Sequence, residues 1–160
     1  IGIRSAIKNK FTYVLFMDSD LTNDPKFIKD FANEIPKNYD CVKASRFIKE
    51  GGMKNIPFKR RVISTIGNDV AGKLLRINIK DCTNGFRMVK LSRLKNIKFK
   101  EKGFSVIMEE LYYLKSRNAK FKEIPVVLTS RKKGKSSFRY SIKTFYDYLK
   151  YPILSVIYNR

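Results

Sequence analysis

The order of apolar segments predicts an α/β domain with a mainly parallel central sheet, and three observations carry that expectation. Residues 13–17 (YVLFM) form an uncharged run that stops at Asp18-Ser19-Asp20, the pattern of a buried strand leaving its sheet. Residues 40–47 (DCVKASRF) repeat the strand pattern, and a helical stripe lies between the two, giving a β-α-β unit with a right-handed crossover. Further helical stripes at residues 58–75 and 104–115 alternate with strand-like runs at 81–89 and 123–130.

Each element has its own signal. Ile1, Ile3, Ala6 and Ile7 have helical spacing without a capping residue ahead of them, which predicts that the chain begins inside a larger α/β domain. Asp24-Pro25 supplies an N-cap and a first-turn proline for a helix carrying Phe27, Ile28, Phe31, Ala32 and Ile35, and Pro36 ends it. Gly51-Gly52 and Pro57 mark residues 49–57 as a flexible loop. Val62, Ile63, Ile66, Val70, Leu74 and Leu75 form the stripe of the next helix, which tolerates Gly67 and Gly72. Asn84-Gly85 is the turn signal that feeds a short strand, and Pro125 assigns the last strand to an edge or a bulge. The final segment, residues 140–160, is an amphipathic helix interrupted at Pro152. It either packs on the core or lies in a membrane interface, with tyrosines at headgroup depth and lysines on anionic lipid.

Composition narrows the function classes. With 43% hydrophobic residues, a chain of 160 residues can fill one core. Lys plus Arg number 35 against 14 Asp plus Glu, a formal charge of +21, so the partner is expected to be anionic: phosphates, an acidic membrane surface or nucleic acid. The chain has no histidine and no CxxC, which excludes His-based triads and the usual zinc sites. Cys41 and Cys82 read as reduced structural thiols of a cytosolic environment. No run is long enough to span a bilayer. Most aromatic residues fall in apolar strand and helix patterns rather than among Lys and Arg, which argues against a nucleic-acid stacking platform.

The chemistry concentrates beyond the first strand, because ligands in open α/β sheets bind past the carboxyl ends of strands. Asp18 and Asp20 stand there. They are either a solvated acidic turn or two hard ligands for Mg²⁺ or Mn²⁺ shared with phosphate oxygens.

Taken in order, MDSDLTNDPKFI, ASRF, KRRVIS with Asn68, DCTNGFR, GFSVIMEEL, EIPVV and RKKGKSS resemble the family 2 glycosyltransferases of GT-A fold, and within them the polyprenyl-phosphate (dolichol-phosphate) mannosyltransferase branch. The resemblance runs to about residue 140, and it implies a GT-A domain over residues 1–139 without its first strand-helix units, followed by the helical segment 140–160. It further implies an inverting transfer of a hexose, mannose or glucose, from a nucleotide sugar of the GDP-mannose or UDP-glucose type to a polyprenyl phosphate. The protein would then sit at the cytoplasmic face of a membrane or in the cytoplasm, with no nucleic-acid partner.

Residue by residue, the resemblance assigns Asp18 and Asp20 to a divalent cation, Mg²⁺ or Mn²⁺, on the donor diphosphate. Thr22 stands where this branch often has Gln as a further ligand. Arg131 and Lys135 belong to a basic loop that closes on the diphosphate, in which Ser137 replaces the family's lysine. Arg46 and Arg61 match basic residues facing the acceptor phosphate, for which a guanidinium fork is suited. Asp81 and Arg87, in DCTNGFR, either meet the acceptor or brace their own loop. Glu109 falls where related enzymes place a carboxylate near the acceptor: a base, an orienting group, or a charged helix edge. A saccharide hydroxyl acceptor is the alternative within the class, and a basic nucleic-acid-binding module is the alternative outside it.

Overall fold

The computed structural model describes residues 2–129 and 141–158. Its central sheet holds β1 (Tyr13–Phe16), β2 (Cys41–Ser45), β4 (Arg87–Lys90) and β5 (Phe121–Pro125) in the spatial order β1-β4-β2-β5. β4 is antiparallel to both β1 and β2, and β2 is parallel to β5, so three of the four strands run the same way. The mainly parallel expectation therefore holds for strand direction, with β4 inserted in reverse between the two strands of the β-α-β unit. Pro125 ends an edge strand, where a missing N–H breaks no ladder.

All five residues of β2 are buried, because helices cover both faces of the sheet. Strand alternation sends Val42 and Ala44 to one side, where they meet Phe86, Met88 and Phe31 of α2 (Ile28–Glu34). The Phe31 and Phe86 rings lie 4.7 Å apart, and burying one such ring stabilises the fold by about 1.5–3 kcal/mol. The opposite face packs Cys41 and Val89 on α1 (Gly2–Lys8), α4 (Leu91–Leu94) and Leu114 of α5 (Val106–Ser116). A third cluster joins Ala71 and Leu75 of α3 (Phe58–Leu75) to Ile107, Met108 and Leu111 of α5 and to Tyr151 of α6 (Ile142–Tyr158).

Capping chemistry sets one helix entry as the residues foretold. The Asp24 carboxylate accepts the Lys26 N–H at 2.9 Å, and Pro25 opens a 3₁₀ turn, Pro25–Phe27, that runs into α2. Residues 49–57, read as a flexible loop, are instead tied down. Within them β3 (Gly52–Met53) pairs in parallel with β6 (Val127–Leu128). A Cβ on Gly51 would fall 2.6 Å from the Ser45 carbonyl oxygen, so the close approach of this loop to the end of β2 requires glycine.

Helix α6 continues through Pro152 and has two apolar sides. Tyr151 and Leu154 join the third cluster, while Phe145, Tyr146, Ile153, Ile157 and Tyr158 are exposed. Among the described residues no helix is long and apolar enough to cross a membrane.

Candidate active site

The chain leaves β1 at Phe16 and turns at once, placing Asp18 exposed and Asp20 half-buried at the sheet rim. Asp20 Oδ1 accepts the Thr22 N–H at 3.0 Å and the Thr22 hydroxyl at 2.8 Å, an Asx-type turn that fixes the carboxylate's direction. Thr22 in turn accepts the Thr129 N–H at 3.1 Å through its carbonyl oxygen. Thr129 thus lies beside the acidic turn. Arg131 and Lys135 themselves lie outside the described residues.

Residues 80–87 form a loop facing this rim, and side chains from four elements hold it. Glu123 on β5 accepts the Lys80 and Asp81 N–H groups at 3.0 and 2.9 Å. Asn68 on α3 grips Thr83 twice, accepting its N–H at 2.9 Å and donating to its hydroxyl at 3.0 Å. Arg46, just past β2, donates Nε to Asp81 Oδ2 at 2.7 Å and Nη2 to Asp81 Oδ1 at 2.8 Å and to the Thr83 hydroxyl at 2.9 Å. Asp81 also accepts the Arg46 and Asn84 N–H groups, and its side chain is fully enclosed.

Arg87 on β4 grips Glu110 of α5 with two N–H groups, one of them Nη2 at 3.0 Å, and donates Nη1 to the Gly85 carbonyl oxygen at 2.8 Å. Burial alone works against its charge, and the Glu110 carboxylate more than restores it. The neighbouring carbonyl, Asn84 O, accepts from Lys43 Nζ at 2.8 Å. Lys43 is wholly buried on β2, directly across from Arg87 in the ladder. Burial pushes its pKa down, and the positive Arg87 pushes it the same way.

On the outer side of the loop, Gly85 meets Asp18. A Cβ there would sit 3.5 Å from Asp18 Oδ2 and 3.8 Å from Oδ1, so the carboxylate faces the glycine across a space that one methyl would fill. Its φ is not positive and an added methyl would meet Asp18 only at ordinary contact distance, so the backbone at this position does not itself demand glycine.

These contacts bear on three sequence readings. Asp81 and Arg87, read as either meeting the acceptor or bracing their own loop, are both interior: Asp81 is engaged by Arg46 and Arg87 by Glu110, the arrangement of the bracing reading. Arg46, also assigned to the acceptor, has its Nε edge on Asp81 and acts first as a loop brace. Glu109, read as a base, an orienting group or a charged helix edge, is fully buried, and its two oxygens accept the main-chain N–H groups of Lys100 and Glu101 at 2.8–3.0 Å. It fastens the 99–101 segment.

Arg61 stays available. It is exposed on α3 beside exposed Arg60 and Lys59, and among the described residues no carboxylate lies within ion-pair distance of it. Seven residues separate it from Asn68, so it shares the helix face that grips Thr83, about 10 Å nearer the helix start. Lys43, Thr83, Glu110 and Glu123 were missed by sequence reasoning. Only Lys43 carried a signal there: a cation at an inward position of an otherwise apolar strand.

Both thiols are free and buried, and burial pushes each pKa up to about 12, which makes them inert. Among the described residues no cluster of three or more acidic or sulfur ligands could form an all-protein metal cage. Two carboxylates at an exposed turn fit a hard cation only when a ligand's phosphate oxygens and water complete the shell, the usual manner of Mg²⁺.

The family model described as "Glycosyl transferase family 2" matches residues 1–98. The dolichol-phosphate mannosyltransferase of Pyrococcus furiosus is 30% identical over 159 residues, covering 94% of this chain and 44% of the relative. The chain thus spans less than half the length of that relative.

Proposed function

The chain belongs to glycosyl transferase family 2, and from that premise we propose that it serves a metal-dependent, inverting transfer of a hexose, mannose or glucose, from a nucleotide diphosphate sugar to a polyprenyl phosphate. The observation that carries the reading is the placement of Asp18: exposed just past β1 and facing Gly85, in a loop braced by buried cations. The relative's name supports the acceptor and the sugar class.

Asp18 and Asp20 would hold Mg²⁺ or Mn²⁺, which when bound supplies charge neutralisation for the departing diphosphate. Arg131 and Lys135 would close on the same diphosphate. The loop's inner braces, Arg46 with Asp81 and Arg87 with Glu110, keep the seat of Asp18 fixed. Exposed Arg61 would orient the acceptor phosphate through paired donors. One acceptor phosphate oxygen forms the new bond to the anomeric carbon while the bond from that carbon to the diphosphate oxygen breaks, with inversion. The acceptor is already anionic at neutral pH and needs no base. A hydroxyl acceptor would need one, and the engagement of both Glu109 oxygens by main-chain amides counts against that alternative.

Outward apolar residues on two packed helices support work at a membrane surface. Phe58, Val62, Ile63, Ile66 and Val70 of α3 are exposed, as are Phe145, Tyr146, Ile153 and Ile157 of α6, with Lys59, Arg60 and Lys143 among them.

The test is transfer of labelled mannose from GDP-mannose, or glucose from UDP-glucose, to polyprenyl phosphate in vesicles by the full-length protein. Transfer that requires divalent metal and disappears in Asp18→Ala is expected. Undiminished transfer in Asp18→Ala or in excess chelator removes the metal role.

A further inference from the structure

Lys43 is the one fully buried lysine among the described residues, and no part of the proposed chemistry uses it. Its ammonium has no carboxylate within 4 Å among those residues, and its hydrogen bond goes to a main-chain carbonyl, Asn84 O, at 2.8 Å. An ammonium kept from water with so little compensation is costly, and a chain gains nothing in stability by placing it there rather than an aliphatic side chain. Departures of this kind are expected where a fold serves a site.

The geometry says which site. Asn84 and Gly85 are consecutive, and their two carbonyls are held from beneath by two cations that face each other across the β2–β4 ladder: Lys43 on the first, Arg87 on the second. With both carbonyls drawn inward, the opposite side of the turn presents Gly85 to the Asp18 carboxylate 3.5 Å away from where a Cβ would stand. Arg87 has its own anchor in Glu110, whereas Lys43 is held by the packing around it. We propose that Lys43 is a positioning residue: by pulling the Asn84 carbonyl inward it sets the turn that faces Asp18, and so shapes the space in which Asp18 offers its oxygens to the cation. The inference deepens the metal reading of Asp18 and rests on it. Burial lowers the lysine's pKa, and either protonation state retains an N–H to donate, so the link persists when the ammonium is neutralised.

The experiment follows Mn²⁺ binding by the full-length protein, in the presence of GDP and separately of UDP, through the rise in melting temperature with metal concentration. Wild type, Lys43→Met, Gly85→Ala and Asp18→Ala are compared. Lys43→Met is expected to melt at or above the wild-type temperature without metal, because a buried charge has been exchanged for an apolar chain of similar volume. Its half-saturating Mn²⁺ concentration should rise about tenfold, the usual effect of losing a group that orients a ligand. Gly85→Ala, which adds a methyl in ordinary contact with Asp18, should shift the same midpoint without unfolding the protein. A Lys43→Met protein with unchanged metal midpoint overturns the assignment. So does one that fails to fold, or whose melting temperature falls without metal, since either marks a structural lysine. Asp18→Ala separates the two levels: if it binds Mn²⁺ like wild type, the metal reading fails and takes this one with it. If it loses binding while Lys43→Met keeps it, only the role of Lys43 falls.

Discussion

Two groups of carboxylates lie within this domain, and they differ in what surrounds them. Asp81, Glu109 and Glu110 are buried, and each is met by arginine or main-chain N–H donors that are themselves fixed in the fold. Asp18 and Asp24 are exposed and Asp20 half-buried, all in the turn after β1, with Asp20 oriented by its own Thr22. A carboxylate enclosed by fixed internal donors braces structure, whereas one at an exposed turn stays within reach of a ligand, and its precision depends on the buried groups that hold the surrounding loops.

The contrast is broken most forcefully by exchanging the buried set. Asp81→Ala should destabilise the protein by about 3–5 kcal/mol, because the Arg46 guanidinium is left without its counter-charge. Chemical denaturation checks this, and a loss under 1 kcal/mol would mean that the pair is not a brace. Arg61→Ala probes the outward side. It should leave the melting temperature unchanged while raising the KM for polyprenyl phosphate about tenfold, the effect of one lost charge-assisted contact. An unchanged KM would remove Arg61 from the acceptor site.

The smallest effect concerns the fastening of α6. Glu101 accepts from Lys150 at 2.6 Å and from the Tyr151 hydroxyl at 3.1 Å, and the Lys150 bond holds its carboxyl below the usual range. A depressed carboxyl adds stability that is fully present above its unfolded value, about 4.3, and is lost as pH falls through the folded value. Melting temperature should therefore drop more on acidification from pH 6 to pH 3 in wild type than in Glu101→Gln. Equal drops would show that the contact is energetically idle.

Much of the fold was legible because its signals are local. The Asp24-Pro25 cap, the helix α3 over Phe58–Leu75 and the edge position of Pro125 formed as read, although Val62, Ile63, Ile66 and Val70 of the α3 stripe face outward and the helix packs through Ala71, Gly72 and Leu75. The insertion of β4 between β1 and β2 was not legible, since residues 81–89 carry a strand pattern without a direction. The same holds for charge. The motifs marked Arg46, Asp81, Arg87 and Glu109 as residues that matter, but which carboxylate meets which arginine is settled by strand order and helix placement. Asp81 and Arg46 are 35 positions apart and Arg87 and Glu110 are 23 apart, so their pairing left no periodic trace. Lys43 did leave one, as an inward cation in DCVKASRF, a weak mark in a chain rich in lysine.

The division between the two sets of carboxylates is tested most directly by comparing Asp18→Asn with Glu109→Gln for kcat in labelled-hexose transfer to polyprenyl phosphate, each at a temperature where the variant is folded. Asp18→Asn should melt like wild type and lose on the order of 10²–10³-fold in kcat, the scale of a lost electrostatic stabiliser. Glu109→Gln should melt lower and keep kcat within a few-fold. The reverse pattern, a folded Asp18→Asn with full kcat beside a collapsed rate in Glu109→Gln, would contradict the assignment of the cation to the rim and restore Glu109 as the base.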